Sequence, residues 1–281
     1  MSAITLLDGA AGTTLWEIAE KHGEAKVPVW IYNITHPEFV RELHDRYIAA
    51  GSDIIQANTF GANGPSVKRS SDYDTKDVIR AAVRIARESV KASQRDVKVA
   101  LSFGPLSQLM EPYGDLSEEE VREIYGEMFE AGVMEGADLI ILETFFDLAM
   151  ISVAAKKAKE FGVPVFCSLT FEKVGKTMMG NSVEAVIEEL SSVPVDAVGM
   201  NCGLGPEIAA PILREFSEKT DLPLFYKPNA GLPISSGAGD AVPYTPASFA
   251  EEIRPVLPLV TYLGGCCGTN DEFVKELKKL L

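Results

Sequence analysis

The residues most able to do chemistry in this sequence are four cysteines, at positions 167, 202, 266 and 267. Three of them stand in glycine-flanked motifs, Asn201-Cys202-Gly203 and Gly264-Gly265-Cys266-Cys267-Gly268, each directly after an apolar run. Cys167 lies inside such a run and reads as a small core hydrophobe. Four cysteines in 281 residues are too sparse for the disulfide framework of a small secreted domain, which leaves metal binding or catalysis as the chemistry to consider. Thiolates converging on one ion suit zinc, at about 2.3 Å per sulfur, and three protein ligands leave a fourth position open for catalysis. A redox pair at Cys266-Cys267 is the competing reading, set back by the strain of a vicinal disulfide and the reducing cytosol.

Bringing position 202 beside 266 and 267 requires a scaffold. Eight short apolar runs alternate with helical patterning, at 4–7, 53–57, 97–103, 137–142, 163–170, 195–200, 222–226 and 259–263. This alternation predicts an α/β chain folded as a single (β/α)8 TIM barrel over residues 1–281, with its active site at the C-terminal ends of parallel strands. Strands six and eight are then one strand apart, within reach of thiols pointing over the rim. Glycines at 264, 265 and 268 allow the turn that would aim adjacent cysteines at one point. Thr35-His36-Pro37-Glu38, Ser117-Glu118-Glu119-Glu120 and Thr269-Asn270-Asp271-Glu272 have capping-box spacing, and Thr245-Pro246 places proline at a first helical position. Residues 61–73 read as a polar, helix-poor loop, and 231–244 as a loop rich in glycine and proline.

Composition narrows the partners. The chain is 46% apolar and 24% charged, as expected for a globular protein with ample core. Lys+Arg number 26 against Asp+Glu 41, a net charge of −15 that repels a phosphate backbone and argues against nucleic-acid binding. No apolar run approaches the roughly 18 residues of a membrane span, and the first residues lack the basic flank of a signal peptide. No membrane partner and a cytoplasmic address are expected.

The segments just beyond the strands bring more motifs to the same rim: Asp8-Gly9-Ala10-Ala11-Gly12-Thr13, Asn58-Thr59-Phe60-Gly61, Glu143-Thr144-Phe145-Phe146-Asp147 and Pro228-Asn229-Ala230-Gly231. Together with Asn33-Ile34-Thr35-His36-Pro37 and the two cysteine motifs, this ordered set resembles the homocysteine S-methyltransferase family. The likeness is greatest to the homocysteine-binding module of cobalamin-dependent methionine synthases. The resemblance implies zinc held by Cys202, Cys266 and Cys267, with Asn229 as a fourth ligand when substrate is away. It also implies homocysteine as acceptor and methionine as product. Asp8, Gly9, Ala10 and Glu143 would bind the amino acid end, with the Gly9 and Ala10 N–H groups on the carboxylate and the two acids on the ammonium.

Ala11 departs from the pattern, standing where methionine synthases commonly carry methionine. The sequence closes at Leu281 with no folate, cobalamin or reactivation module, so methyl is expected from methylcobalamin or a methyl-corrinoid protein in trans. The alternative is a stand-alone enzyme using S-methylmethionine, S-adenosylmethionine or betaine, whose charge would call for aromatic partners such as Trp30, Phe145 or Phe146. Another thiol could also serve as acceptor, although intact Asp8 and Glu143 favour an amino acid.

Overall fold

All eight apolar runs form strands, each placed within or close to its expected bounds. In the computed structural model, which describes residues 4–231 and 244–281, they are β1 (Thr5–Leu6), β2 (Ile54–Gln56), β3 (Lys98–Phe103), β4 (Leu139–Phe145), β5 (Val165–Leu169), β6 (Ala197–Asn201), β7 (Leu224–Lys227) and β8 (Tyr262–Leu263). Every paired strand is parallel to its neighbour, in the order β1-β8-β7-β6-β5-β4-β3-β2, and helices separate the strands along the chain. The expected (β/α)8 barrel is therefore present. Its strands are buried on both faces, which is why they read as continuous apolar runs.

Side chains change face at every residue of a strand, and this alternation builds the barrel's interior in layers. The lower layers hold Leu7, Ile54, Ala100, Leu139, Ile141, Phe166, Ala197 and Phe225. Toward the carboxyl ends the same inward rows turn polar, at Gln56, Ser102, Glu143, Ser168, Asn201 and Lys227, all of them buried. An apolar plug is thus capped by a polar floor.

The gap between β1 and β2 is closed partly by side chains. Asp53 N–H donates to Leu6 O at 2.7 Å, and Leu6 N–H donates to Asp53 Oδ2 at 3.0 Å. Asp138 and Asp196, also standing just before even-numbered strands, make the same reciprocal pair with Val99 and Val165. At the carboxyl end of the seam the Gln56 N–H donates to Asp8 Oδ2 at 2.7 Å. Asp8 therefore belongs to the fold as well as to the rim.

Several local expectations need correcting. Residues 61–73 contain a helix, Gly64–Ser70, started by Asn63, whose side chain accepts the Ser66 N–H, and by proline in the first turn. Thr35 caps no helix: it ends Tyr32–Thr35, its hydroxyl donates to Ile31 O, and the next helix, Pro37–Ala50, starts without a side-chain cap. Thr269 likewise yields its capping role to Asn270, because its hydroxyl is drawn to Cys266 O and the Ala10 N–H. The box expected at Ser117 forms, and Pro246 opens its helix as expected, with a further capping box between Thr245 and Ser248. The loop expected at 231–244 lies outside the described residues except at its ends. No helix among the described residues is long and apolar enough to cross a membrane.

On helix Pro37–Ala50, His44 is fully buried, and neither ring nitrogen has a hydrogen-bond partner among the described residues. Burial, helped by the charge of Arg41, pushes its pKa down to about 4. The folded state thus resists a proton that the unfolded chain accepts below pH 6.5, so this contribution is complete above pH 6.5 and is lost as pH falls toward 4. His44→Leu should therefore lessen acid sensitivity. Urea unfolding at pH 7 and pH 4.5 should show the variant gaining about 2–3 kcal/mol on the parent over that interval. A stability difference that does not change with pH would contradict this account.

Candidate active site at the carboxyl rim

The rim is assembled by backbone hydrogen bonds among the loops after β1, β6, β7 and β8. The Gly265 N–H donates to Asp8 O (3.0 Å), Cys266 N–H to Pro228 O (2.8 Å), Ala230 N–H to Cys267 O (2.9 Å) and Cys202 N–H to Lys227 O (3.0 Å). Close approach explains the glycines. A Cβ on Gly265 would lie 2.4 Å from Thr269 Oγ1, and one on Gly264 would lie 2.6 Å from Asp8 O. The stitching brings Cys202, Cys266 and Cys267 together, with their Sγ atoms all within 4.8 Å of one another and those of Cys202 and Cys267 3.7 Å apart. Cys167 stays apart, fully buried on β5, and burial raises its thiol well above the ordinary range.

This geometry suits a tetrahedral ion. Bonds of about 2.3 Å to sulfur place two ligands about 3.8 Å apart. Hydrogen bonds from the thiols of Cys266 and Cys267 hold Cys202 below the ordinary thiol pKa, and those to Cys202 hold the other two above it. Asn229 adds a second indication. It is buried, its Oδ1 has no partner among the described residues, and its side chain reaches Cys202. The donor set fits zinc.

Beside the thiols lies a network of buried polar side chains. Glu143 Oε1 accepts from Gln56 Nε2 and Ser102 Oγ, both at 2.5 Å, while Oε2 has, among the described residues, only a 3.4 Å contact with Asn201 Nδ2. Sequence reasoning placed Glu143 after its strand, but β4 continues through it with a register shift, and Thr144 has φ +64. That conformation costs a β-branched residue of order 1–3 kcal/mol. Asn201 holds it from both sides, accepting the Thr144 N–H and donating to Thr144 Oγ1, each at 2.8 Å. Asn201 also accepts from Ser168 Oγ at 2.8 Å and lies 3.8 Å from Cys266 Sγ. One amide thus ties the bulge that aims Glu143 to the thiol cluster.

Asp8 is buried and pairs with Lys227 Nζ at 3.0 Å. Burial raises the Asp8 pKa against the pull of Lys227, and at Lys227 the charges of Asp8 and Glu143 outweigh the opposing effect of burial. Gly9 has no room for a side chain, because a Cβ would lie 2.8 Å from Tyr47 Oη and 2.9 Å from Thr269 Oγ1. The Ala10 N–H, expected to be free for a carboxylate, instead donates to Thr269 Oγ1 at 3.1 Å. Helix Ala11–Lys21 starts immediately afterwards with no side-chain cap and no acid in its first turn. Of the aromatic candidates, Trp30 and Phe145 are buried in the core and Phe146 is half-buried.

The sequence reading missed Gln56, Ser102, Ser168 and Lys227 and gave Asn201 no role. The missing signal was period-2 alternation, which carries the inward apolar rows onto these positions. Inspecting only the residues beyond each strand overlooked side chains on the last strand turns.

An eight-stranded parallel barrel with clustered thiols and buried acids at its carboxyl rim is built as a barrel enzyme, whose chemistry collects at that end. The chain belongs to the homocysteine S-methyltransferase family, whose model matches residues 5–281. It is 30% identical over 263 residues to a methionine synthase of Mycobacterium leprae, with 88% of this chain and 21% of that protein covered. The methionine synthase of Mycobacterium tuberculosis is 30% identical over 262 residues, with 88% and 22% covered. The chain thus spans about a fifth of the length of these curated relatives. The apo crystal structure of the homocysteine methyltransferase MmuM from Escherichia coli superposes with a TM-score of 0.75 at 25% identity, covering 99% of this chain and 96% of that one. Its metallated form has a TM-score of 0.78 at 24% identity, a likeness of fold.

Proposed function

We propose that this protein transfers a methyl group to the thiolate of homocysteine, giving methionine, and takes the methyl from a separate methyl-corrinoid protein. The observation that carries the reading is the convergence of three thiols beside a buried carboxylate with one weakly engaged oxygen. Zinc held by Cys202, Cys266 and Cys267, with Asn229 Oδ1 as the fourth donor before substrate arrives, would supply the positive charge that keeps a substrate thiol deprotonated at neutral pH. In the transfer a sulfur–carbon bond forms, and the electron pair of the broken bond stays with the donor.

This chain's residues bind and orient the acceptor. Glu143 Oε2 is the carboxylate oxygen left for an ammonium. The Gly9 N–H and the uncapped turn from Ala10 into helix Ala11–Lys21 offer donors to a carboxylate. Asp8, the second acid expected at the ammonium, already accepts from Lys227 Nζ at 3.0 Å. Thiol chemistry of this kind suits the reducing cytoplasm.

Exposed side chains at the rim, among the described residues, support a large donor. Cys267 is exposed, as are Phe60, Tyr113, Val174 and Met178 on the segments after β2, β3 and β5. The match to nearly the whole of MmuM favours the second reading, a stand-alone enzyme with a small sulfonium or ammonium donor.

Calorimetry tests acceptor recognition directly. Glu143→Gln should weaken homocysteine by roughly 10- to 100-fold, the equivalent of about 1.5–3 kcal/mol for a charged hydrogen bond. Binding of 4-sulfanylbutanoate, which lacks the ammonium, should be unchanged, as should zinc content. If zinc-loaded parent protein fails to bind homocysteine, the proposed function is wrong.

A further inference from the structure

Lys227 was not among the residues expected to form the site, yet it is the only lysine or arginine buried among the described residues. It closes β7 in the inward row that places Phe225 below it. Its stem passes close to β8, where a Cβ on Gly264 would lie 3.2 Å from Lys227 Cγ. Its backbone O accepts the Cys202 N–H at 3.0 Å. The ammonium is therefore held between the strands that lead to the thiol cluster.

An ammonium has three N–H donors. One goes to Asp8 Oδ1 at 3.0 Å, and no second protein acceptor is present among the described residues. Asp8 spends its other oxygen on the Gln56 N–H, and the Ala10 N–H is committed to Thr269. These contacts bear on both ends of an amino acid ligand. The acid that should attract its ammonium already holds a cation, and one of the two amides that should take its carboxylate is occupied. A buried ammonium with unused donors is unfavourable until an anion supplies acceptors.

We propose that Lys227 is a specificity-determining residue that binds the carboxylate of the thiol acceptor, with Asp8 holding Lys227 in place and Glu143 alone meeting the acceptor's ammonium. This rests on the reading of the protein as a homocysteine methyltransferase and sharpens which thiols it accepts. A carboxylate becomes the stronger requirement and an amino group the weaker one. The site then discriminates against aminothiols, which would bring a second cation next to Lys227 and offer nothing to its free donors.

The test compares homocysteine, 4-sulfanylbutanoate and 3-sulfanylpropan-1-amine by calorimetry on zinc-loaded protein, with zinc content and thermal unfolding as controls. Parent protein should bind 4-sulfanylbutanoate more tightly than 3-sulfanylpropan-1-amine. Lys227→Gln should lose at least tenfold in affinity for homocysteine and for 4-sulfanylbutanoate while binding the aminothiol at least as well as the parent does, and Lys227→Arg should recover part of the loss. Equal losses for all three thiols, or none, would overturn the proposal. If Lys227→Gln does not fold, the parent's own order decides, and tighter binding of the aminothiol overturns it. Failure of all three thiols to bind the parent would instead count against the homocysteine reading itself.

Discussion

Cys202→Ser, Cys266→Ser and Cys267→Ser proteins should each emerge from dialysis against a chelator without stoichiometric zinc and without methyl transfer to homocysteine, whereas Cys167→Ser should keep both. The three thiols lie within one ion's reach, and Cys167 is buried on β5 away from the rim. Zinc held by protein ligands contributes about 10–16 kcal/mol, so each of four ligands accounts for roughly 3 kcal/mol, on the order of 100-fold in affinity. A serine hydroxyl cannot replace a thiolate, because it stays protonated at neutral pH and is a harder donor. Asn229→Ala should cost much less, since a neutral amide gives way to the incoming sulfur. Elemental analysis of the four cysteine variants decides the matter, and stoichiometric zinc retained in Cys202→Ser would falsify the ligand assignment.

The contrast among the cysteines was legible in the sequence because it depends on local context. Cys167 sits within an apolar run, and the other three sit beside glycines at strand ends. The barrel was legible for a similar reason, since strands buried on both faces are apolar over most of their length. What escaped was set by tertiary contacts. Thr35 and Thr269 have capping-box spacing, but the Thr269 hydroxyl found Cys266 O and the Ala10 N–H, partners that exist only once the β1 and β8 loops meet. Helix Gly64–Ser70 was hidden by its polar composition, although Asn63 and Pro65 mark its start.

The polar floor is a different case, since its signal was in the sequence. The inward row of β7 passes from Phe225 to Lys227, and that of β4 from Ile141 to Glu143. A lysine at the end of an apolar strand commonly lies in solvent with its ammonium out. Only the pairing of β7 with β8, and of β8 with β1, turns Lys227 into the partner of Asp8.

The methyl donor is where the two functional readings part. Methylcobalamin, or a methyl-corrinoid protein, should support methionine formation at least a hundredfold faster than S-methylmethionine, S-adenosylmethionine or betaine, all tested anaerobically with a reductant. A corrinoid is too broad to enter a pocket sized for homocysteine, so only its methyl carbon can come within the roughly 3–3.5 Å that near-attack geometry requires. An exposed Cys267 and apolar side chains standing out on the same face permit that approach. A small sulfonium or ammonium donor needs the opposite surroundings, an enclosure in which aromatic faces replace water around the charge. Trp30, the natural candidate for such a face, is only 3% exposed and lies in the core. The thiolates and Glu143 would attract any cationic donor, so weak turnover with a sulfonium is compatible with the corrinoid reading. Turnover with S-methylmethionine, S-adenosylmethionine or betaine well above that with methylcobalamin and a methyl-corrinoid protein would reverse the order of the two readings and make this barrel a complete methyltransferase in its own right.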